Sequence, residues 1–332
     1  MIEMKFLFIT DTHFRSNSPR SRRDDFQMSM VSKMNEIGDI ISKEKIDYVL
    51  HGGDLFDRPD IPFKTASLFS KILLSYKVPI YIISGNHDSY GQNPVTIDRS
   101  ILGLLASLNI VNLIDYNTVL LKEENLTVQL YGTPYRYDLD RNPLNYSFER
   151  VKDADFCIQM AHGFILRKPF LQGIDYTLVE DLKDSNADIL FSGHYHSGFE
   201  KVKINKTLFY NPGSLARMSN SKTEQNRNPK VVLVEVLKLN NTVKYTIQDI
   251  YLKSAKPGKE VISRSIVDQN KMRMENLIYF KQAIHENLDL SKYNIFSILN
   301  DISPKKGFDA SLISDARTRI LEAAEEIGEH NV

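Results

Sequence analysis

Apolar and polar positions switch between two periods along the first part of the chain. Residues 5–10 (KFLFIT) form a short continuous apolar run, Val31, Met34, Ile37 and Ile41 then recur at helical spacing, and Tyr48 to Leu50 is apolar again before Gly52-Gly53. The cycle repeats: Ala66, Phe69, Ile72, Leu73 and Tyr76 predict a second amphipathic helix, and Val78 to Ile83 the next strand. Continuous apolar strands between amphipathic helices predict a parallel sheet covered on both faces.

Beyond residue 110 the runs shorten. Strands are predicted at Val119 to Leu121, Thr127 to Tyr131, Phe156 to Ala161, Ile189 to Ser192, Thr207 to Tyr210, Val231 to Leu237 and Val243 to Ile250. We assign them to a second sheet stacked on the first, with an antiparallel edge made by the last two runs around Asn240-Asn241, a hairpin-turn signal. The expected fold class is α/β, two stacked mixed β-sheets flanked by helices with a small, mainly helical C-terminal region. The composition shifts at Ser254-Ala-Lys-Pro-Gly258, which sets a domain over residues 1–253, a linking region over 254–290 and a helical tail over 291–332. Helices are predicted around Leu277, Ile284 and Leu288, over Ile295 to Ile302, and along Leu312, Ala316, Ile320, Ala324 and Ile327, the last stopping at Gly328.

Composition and charge change this picture little. With 332 residues, 42% apolar and 25% charged, the chain has ordinary globular composition. Its 42 basic and 42 acidic side chains cancel, so a polyanion must be bound by a local patch rather than a global field. The single Cys157 cannot form an intrachain disulfide, and neither an apolar run of membrane-spanning length nor a charged-then-apolar leader is present. The expectation is a protein of a reducing compartment, cytoplasmic, with no membrane partner.

The chemistry lies where the strands stop. Asp11 and His13 follow the first strand (ITDTH), Asp54 the second (GGDLFD), Asn86 and His87 the third (GNHD), His162 a later one (MAHG), and His194 and His196 another (SGHYH). Five of the eight histidines lie in these motifs, and His51 borders one. Crevices of open α/β sheets lie at the carboxyl ends of strands, so residues distant in sequence should converge there. Two aspartates, one asparagine and four imidazoles exceed what a tetrahedral ion can use and suit two ions sharing a bridging carboxylate. Such a pair would carry net positive charge, attract a phosphate and lower the pKa of a shared water. Imidazole at this density disfavours magnesium, and the lack of thiolates disfavours soft metals, leaving manganese, iron(II) or zinc.

In this order, ITDTH, GGDLFD, SGNHD, MAHG and SGHYH resemble the five motifs of the calcineurin-like metallophosphoesterases, over residues 5–215. The resemblance implies a four-layer sandwich. It implies one metal on Asp11, His13 and His196, a second on Asn86, His162 and His194, and Asp54 bridging. His87 would be the histidine that binds no metal and gives a proton or hydrogen bond to the ester, a role suited to imidazole; Asp88 is then its candidate orienting partner. Within the superfamily, GGDLFD, GNHD and SGHYH look most like the Mre11/SbcD nuclease branch, phage members included. That resemblance implies a manganese-dependent 3′-to-5′ DNA exonuclease and endonuclease in repair and recombination. It also implies a Rad50/SbcC-type coiled-coil ATPase partner docking on the helical tail, a homodimer, and a setting at the nucleoid or in the cytoplasm of an infected cell. The first motif continues Phe14-Arg15 where that branch has Leu-Gly, and residues 254–290 are short for its DNA-capping domain.

Two other functions fit the same motifs. GDLFDRP shares Asp57-Arg58 with the Ser/Thr protein phosphatases, although their third motif ends GNHE and this one GNHD; a phosphoprotein phosphatase or small-nucleotide phosphodiesterase is the alternative. A non-catalytic scaffold of the same fold is the third reading, opposed by the intact ligand set. Around the motifs, Arg15, Arg20, Arg22 and Arg23 either track a nucleic-acid backbone or form a solvated loop balanced by Asp24 and Asp25. Asn211 to Ser214 with Arg217 either contacts phosphate or makes a plain turn, Tyr195 either lines the cleft or packs, and Lys201, Lys203 and Lys206 read as a solvated strand face. His51 reads as a strand-end packing or hydrogen-bonding residue.

Overall fold

The first strand shows why these runs are so continuously apolar. In the computed structural model, which describes residues 2–171, 173–264, 308, 309, 312, 313, 315 and 316, β1 (Ile2–Ile9) is buried on both faces. Met4, Phe6 and Phe8 point into one core, Leu7 and Ile9 into another, as the two-residue period of a strand demands. The chain then forms α1 (Phe26–Glu44), β2 (Tyr48–His51), α2 (Phe63–Ser75), β3 (Ile80–Ile82), α3 (Ile101–Ser107) and β4 (Asn112–Leu113). It continues through β5 (Thr118–Glu123), β6 (Leu126–Thr133), β7 (Phe156–Ala161), the short pair β8 (Ile165–Leu166) and β9 (Thr177–Leu178), and β10 (Ile189–Ser192). β11 (Phe199–Ile204), β12 (Thr207–Asn211), β13 (Lys230–Leu239) and β14 (Thr242–Tyr251) complete the strands.

Two mixed six-stranded sheets result, ordered β14-β13-β1-β2-β3-β4 and β11-β12-β10-β7-β6-β5. They stack through a core of Met4, Phe6, Phe8 and Val234 against Leu130, Ile158 and Phe191. The Phe8 and Phe191 rings lie parallel across that interface, 4.3 Å apart. The other face of the first sheet packs on α1 and α2 through Phe26, Met30, Met34, Ile37, Phe69 and Leu73. Asp25 starts α1 by accepting a hydrogen bond from the Met28 amide, and Lys45 ends it in the left-handed region at φ 55°. The expected fold class is therefore the observed one.

One placement differs. The β13–β14 hairpin forms around Asn240, whose φ is 54°, but it joins the first sheet rather than the second, with β13 antiparallel to β1. The physical reason is that β13 is apolar on both faces: Val231 and Leu233 enter the helix-side core while Val232, Val234 and Val236 enter the core between the sheets. The position beside β1 covers both.

The chain divides into two compact units, Met1–Ser263 and Arg264–Val332. Residues 254–263 pack with the first unit: the Ser254 amide donates to Glu36 Oε2 at 2.8 Å, and Val261 and Ile262 are buried. The remainder of the expected linking region and the helices predicted around Leu277, Ile284 and Leu288 and over Ile295 to Ile302 lie outside the described residues, as does most of the last predicted helix. Among the described residues no helix is long and apolar enough to cross a membrane.

Candidate metal centre

Five parallel strands deliver the polar residues to one place. β1, β2 and β3 of the first sheet end in Asp11 and His13, Asp54, and Asn86 and His87; β7 and β10 of the second end in His162 and in His194 and His196. To turn inward at once, four of these residues take the left-handed backbone region, Asp11 at φ 51°, His13 at 44°, Asp54 at 54° and His194 at 70°. Non-glycine residues pay for that conformation, which is why it concentrates at functional sites. The turns also need space: a Cβ on Gly53 would lie 2.4 Å from His162 Nδ1, and one on Gly85 would lie 2.1 Å from Asp54 Oδ1.

The structure brings all seven candidate ligands together in two groups that meet at Asp54. In the first, His13 Nε2 and His196 Nε2 are 3.0 Å apart, His196 Nε2 is 3.6 Å from Asp11 Oδ1, and His13 Nε2 is 3.6 Å from Asp54 Oδ2. In the second, Asp54 Oδ2 is 3.3 Å from His162 Nε2, and Asn86 Oδ1 is 3.2 Å from His162 Nε2 and 2.9 Å from His194 Nδ1. Metal bonds of about 2.0–2.1 Å set neighbouring donor atoms of one ion roughly 3.0–3.4 Å apart. The second group, at 2.9–3.3 Å, is close to that spacing and the first, at 3.0–3.6 Å, is slightly wider, and a single oxygen, Asp54 Oδ2, faces both.

Electrostatics points the same way. Burial drives the His13 imidazole well below its usual value and takes His194 down to about 3, so both present neutral nitrogen. Burial also opposes charge on His162, but the Asp54 carboxylate beside it wins and raises the ring to about 10. Asp54, which burial alone would push up, is held well below the carboxylate range chiefly by His162. The pocket thus favours positive charge next to Asp54, whether it comes as a proton or a metal ion. His162 Nδ1 donates to the Gly52 carbonyl at 2.7 Å, which turns Nε2 toward Asp54 and Asn86, the tautomer a ligand needs.

A family model for calcineurin-like phosphoesterases matches residues 4–198, more than half of the 332-residue chain and every one of these strand-end residues. The chain belongs to the calcineurin-like phosphoesterases. The DNA double-strand break repair protein Mre11 of Sulfolobus acidocaldarius is 30% identical over 201 residues, covering 58% of this chain and 50% of that one. The Mre11 of Methanosarcina mazei is 23% identical over 335 residues, covering 96% and 50%. The chain therefore spans about half the length of the curated relatives it matches. Among solved structures, a dimetal phosphatase from Danio rerio is similar at a TM-score of 0.47 and 12% identity, covering 76% of this chain and 99% of that one.

Calcineurin-like phosphoesterases use divalent metals, and the clustered donors of this member suit them. Around the centre, neighbouring residues divide into those that touch it and those that brace it. His87 donates from Nδ1 to the Asp57 carbonyl at 2.9 Å, and its own amide donates to Asp54 Oδ1 at 2.9 Å. Nδ1 of His13 lies 3.9 Å from the Asp57 carboxylate, which in turn pairs with Arg15 at 3.0 Å. Asp57, at the end of GGDLFD, is a contributor with no signal of its own for this role in the sequence, and Thr10, donating to Asp11 Oδ2 at 2.7 Å, is another.

Asp88 does not orient His87. Its buried carboxylate accepts the amides of Gly85 at 2.9 Å, Phe56 at 3.2 Å and Leu55 at 3.3 Å, and so clamps the second and third motif loops together. His51 is also a brace: the Gly53 amide donates to its Nδ1 at 3.2 Å, which fixes the proton on Nε2, 3.1 Å from Thr12 Oγ1. Phe14 is buried and stacks on Phe69 at 3.7 Å, anchoring the first motif loop in the core.

The basic loop splits. Arg20 and Arg23 are exposed and Arg15 is half-buried beside Asp57, but Arg22 is no free cation. Its guanidinium is buried, bonded to Asp24 at 2.8 and 2.7 Å and to the Arg217 carbonyl at 3.2 Å, which removes it from the expected nucleic-acid set. Arg217 is likewise buried, donating to the Lys256 and Arg227 carbonyls, and the turn before it braces the site, with Ser214 Oγ donating to the Asp11 carbonyl at 3.0 Å. Lys201, Lys203 and Lys206 lie exposed along the β11 edge and turn.

Proposed function

We propose that this phosphoesterase is a metal-dependent DNA nuclease, cleaving phosphodiesters as a 3′-to-5′ exonuclease and endonuclease. Asp11, His13 and His196 would hold one ion and Asn86, His162 and His194 the other, with Asp54 shared. The observation that carries the reading is the pair of donor groups spaced for two ions and meeting at one oxygen of Asp54. Divalent ions bound there, manganese first with iron(II) or zinc as alternatives, would polarise the phosphoryl oxygens and supply hydroxide near neutral pH.

The chain's own residues supply the rest. Nδ1 of His87 is committed to the Asp57 carbonyl, so Nε2 is its free nitrogen and, in the imidazolium form, the proton donor to the leaving oxygen. Arg15, with Arg20 and Arg23 exposed on the same loop, would contact flanking phosphates. The Mre11 relatives are named for DNA double-strand break repair, which supports DNA as substrate; a Rad50/SbcC-type ATPase and a second copy of this chain as partners belong to the same proposal.

The test is manganese-dependent cleavage of labelled duplex and hairpin DNA by the full chain, with and without the coiled-coil ATPase, beside a phosphomonoester. DNA degradation that needs manganese is the expected result. Strong monoester turnover without DNA cleavage would replace the nuclease reading with the phosphatase one, and no turnover of either by metal-loaded protein would favour the scaffold.

A further inference from the structure

Beside His194 the wall of the centre changes character. A cavity of about 320 Å³ opens there, its wall made by the rings of Tyr135, Phe164, Phe170 and His194, with Arg136, Asp140 and Asp175 also in the lining. The Tyr135 and Phe164 rings lie 5.6 and 5.8 Å from the His194 ring, so one imidazole borders both the cavity and the candidate metal centre. Phe170 meets Phe164 edge-on at 5.2 Å and is still 42% exposed. Rings serving only as core would be covered.

The rings are also held in place. The Phe164 amide donates to Asp140 Oδ2 at 2.9 Å, while Asp140 Oδ1 accepts from Tyr146 at 2.6 Å and Thr177 at 2.8 Å. The Tyr135 amide donates to the Ser84 carbonyl at 3.0 Å, and its hydroxyl to Gln92 at 3.1 Å. Charge at the rim is already matched: Arg141 pairs with Asp175 at 3.0 Å while lying 4.3 Å over the Tyr137 ring, and Arg136 pairs with Asp138 at 2.9 Å. Among the described residues the cavity therefore offers flat π-faces, hydrogen-bonded or ion-paired carboxylates, and no cation without a carboxylate partner. That chemistry suits an uncharged planar ring and not a second phosphate.

We propose that this cavity is a nucleobase-stacking subsite, in which Tyr135, Phe164 and Phe170 receive the base of the nucleotide whose phosphate lies at the adjoining centre. The proposal rests on the nuclease reading of that centre and deepens it. A base can enter only after leaving its stack in a duplex, so the reacting end is single-stranded or frayed. Recognition by π-faces is indifferent to base identity, so all four bases are accepted.

The test deletes only a base. Release of the 3′-terminal nucleotide from a 5′-labelled single-stranded oligonucleotide is compared with release from the same oligonucleotide carrying an abasic terminal residue, using full chain in manganese. The ratio of kcat/KM between the two substrates should fall about tenfold in Phe170→Ala and in the bulk-retaining Phe164→Leu, mostly through KM. An unchanged ratio, or an equal loss on both substrates, overturns the subsite. If the unmodified chain releases neither terminus, the nuclease reading has failed on its own, and the subsite is read by binding. Stacking should then quench the fluorescence of 2-aminopurine deoxynucleoside 5′-monophosphate, with zinc replacing paramagnetic manganese, and Kd should rise about tenfold in the same variants. No quenching by the unmodified protein overturns the subsite independently.

Discussion

Two of the clusters of charged and polar side chains buried among the described residues are built on opposite rules. In one, Lys33, Arg22, Arg217 and Arg227 lie among Asp24, Glu224 and backbone carbonyls, and most donors, though not Arg217 Nε, find fixed acceptors: Lys33 meets the Leu215 carbonyl at 2.6 Å, and Arg227 meets Glu224 at 2.8 and 3.0 Å and the Ala216 carbonyl at 2.8 Å. In the other, at the strand ends, imidazole nitrogens and carboxylate and amide oxygens face one another at 2.9–3.6 Å, as His13 faces His196 and Asn86 faces His194. Buried charge alone does not mark a site, because burial with matched partners is ordinary structure. Nitrogens and oxygens that converge in this way can share a cation, either a proton or a metal ion. The first cluster nevertheless serves the second, since residues 214–216 between them bond the backbone of Thr10 and Asp11 at 3.0–3.1 Å.

If the contrast is right, substitutions should separate function from stability. The largest effect is expected for Asp54→Ala, which removes the oxygen facing both donor groups. Metal content should fall for both ions and turnover by on the order of a thousandfold or more, with the unfolding midpoint little lowered. Two ions retained in the variant would show that Asp54 does not bridge. Next is His87→Gln, expected to keep both metals and lose roughly a hundred- to ten-thousandfold in turnover. Metal loss equal to that of Asp54→Ala would move His87 into the ligand set, and full activity would end its role as proton donor.

The third effect is on folding. Glu224, almost fully buried, is bonded through both carboxylate oxygens to Arg227. Glu224→Gln leaves Arg227 with an uncompensated buried charge, which typically costs about 3–5 kcal/mol. Urea unfolding should report that loss while kcat per folded molecule stays within about twofold. A large fall in kcat at unchanged stability would mean that the cationic cluster takes part in the chemistry, and the contrast would collapse.

The same contrast explains what could be read from the sequence. The strand-end residues were legible because a polar residue at the close of an apolar strand is a local signal, and five such signals share one physical destination, the carboxyl edge of parallel strands. The stacked sheets were legible for the same reason. Which sheet accepts the last hairpin was not, since β13 and β14 declare their pairing through Asn240 but their sheet only through the cover available on both faces of β13. Arg22, Lys33 and Arg217 were invisible as interior residues because charged side chains are exposed by default, and their partners are mostly carbonyls distant in sequence. Asp88 is matched in the sequence to His87 rather than to its true partners because two of these are amides of another motif loop.

The smallest predicted effect is one of pH, and it isolates a single charge. Burial first, then the guanidiniums of Arg217, Arg22 and Arg227, hold the Lys33 ammonium well below the usual lysine value of 10.5. A lysine lowered in this way binds fewer protons in the folded chain than in the unfolded one. Its contribution to stability is therefore complete above the unfolded value and is lost as pH falls through the folded value; read upward, stability rises with pH across that window. One proton can contribute a slope of at most about 1.4 kcal/mol per pH unit. Lys33→Met keeps the volume and removes the charge, at a cost of about 1 kcal/mol for the Leu215 carbonyl left without its donor. Denaturant unfolding from neutrality to about pH 10 should show the unmodified chain gaining on the variant as pH rises. Parallel curves would mean that this amine does not titrate in the folded protein, and that the cluster holds its fourth cation without strain.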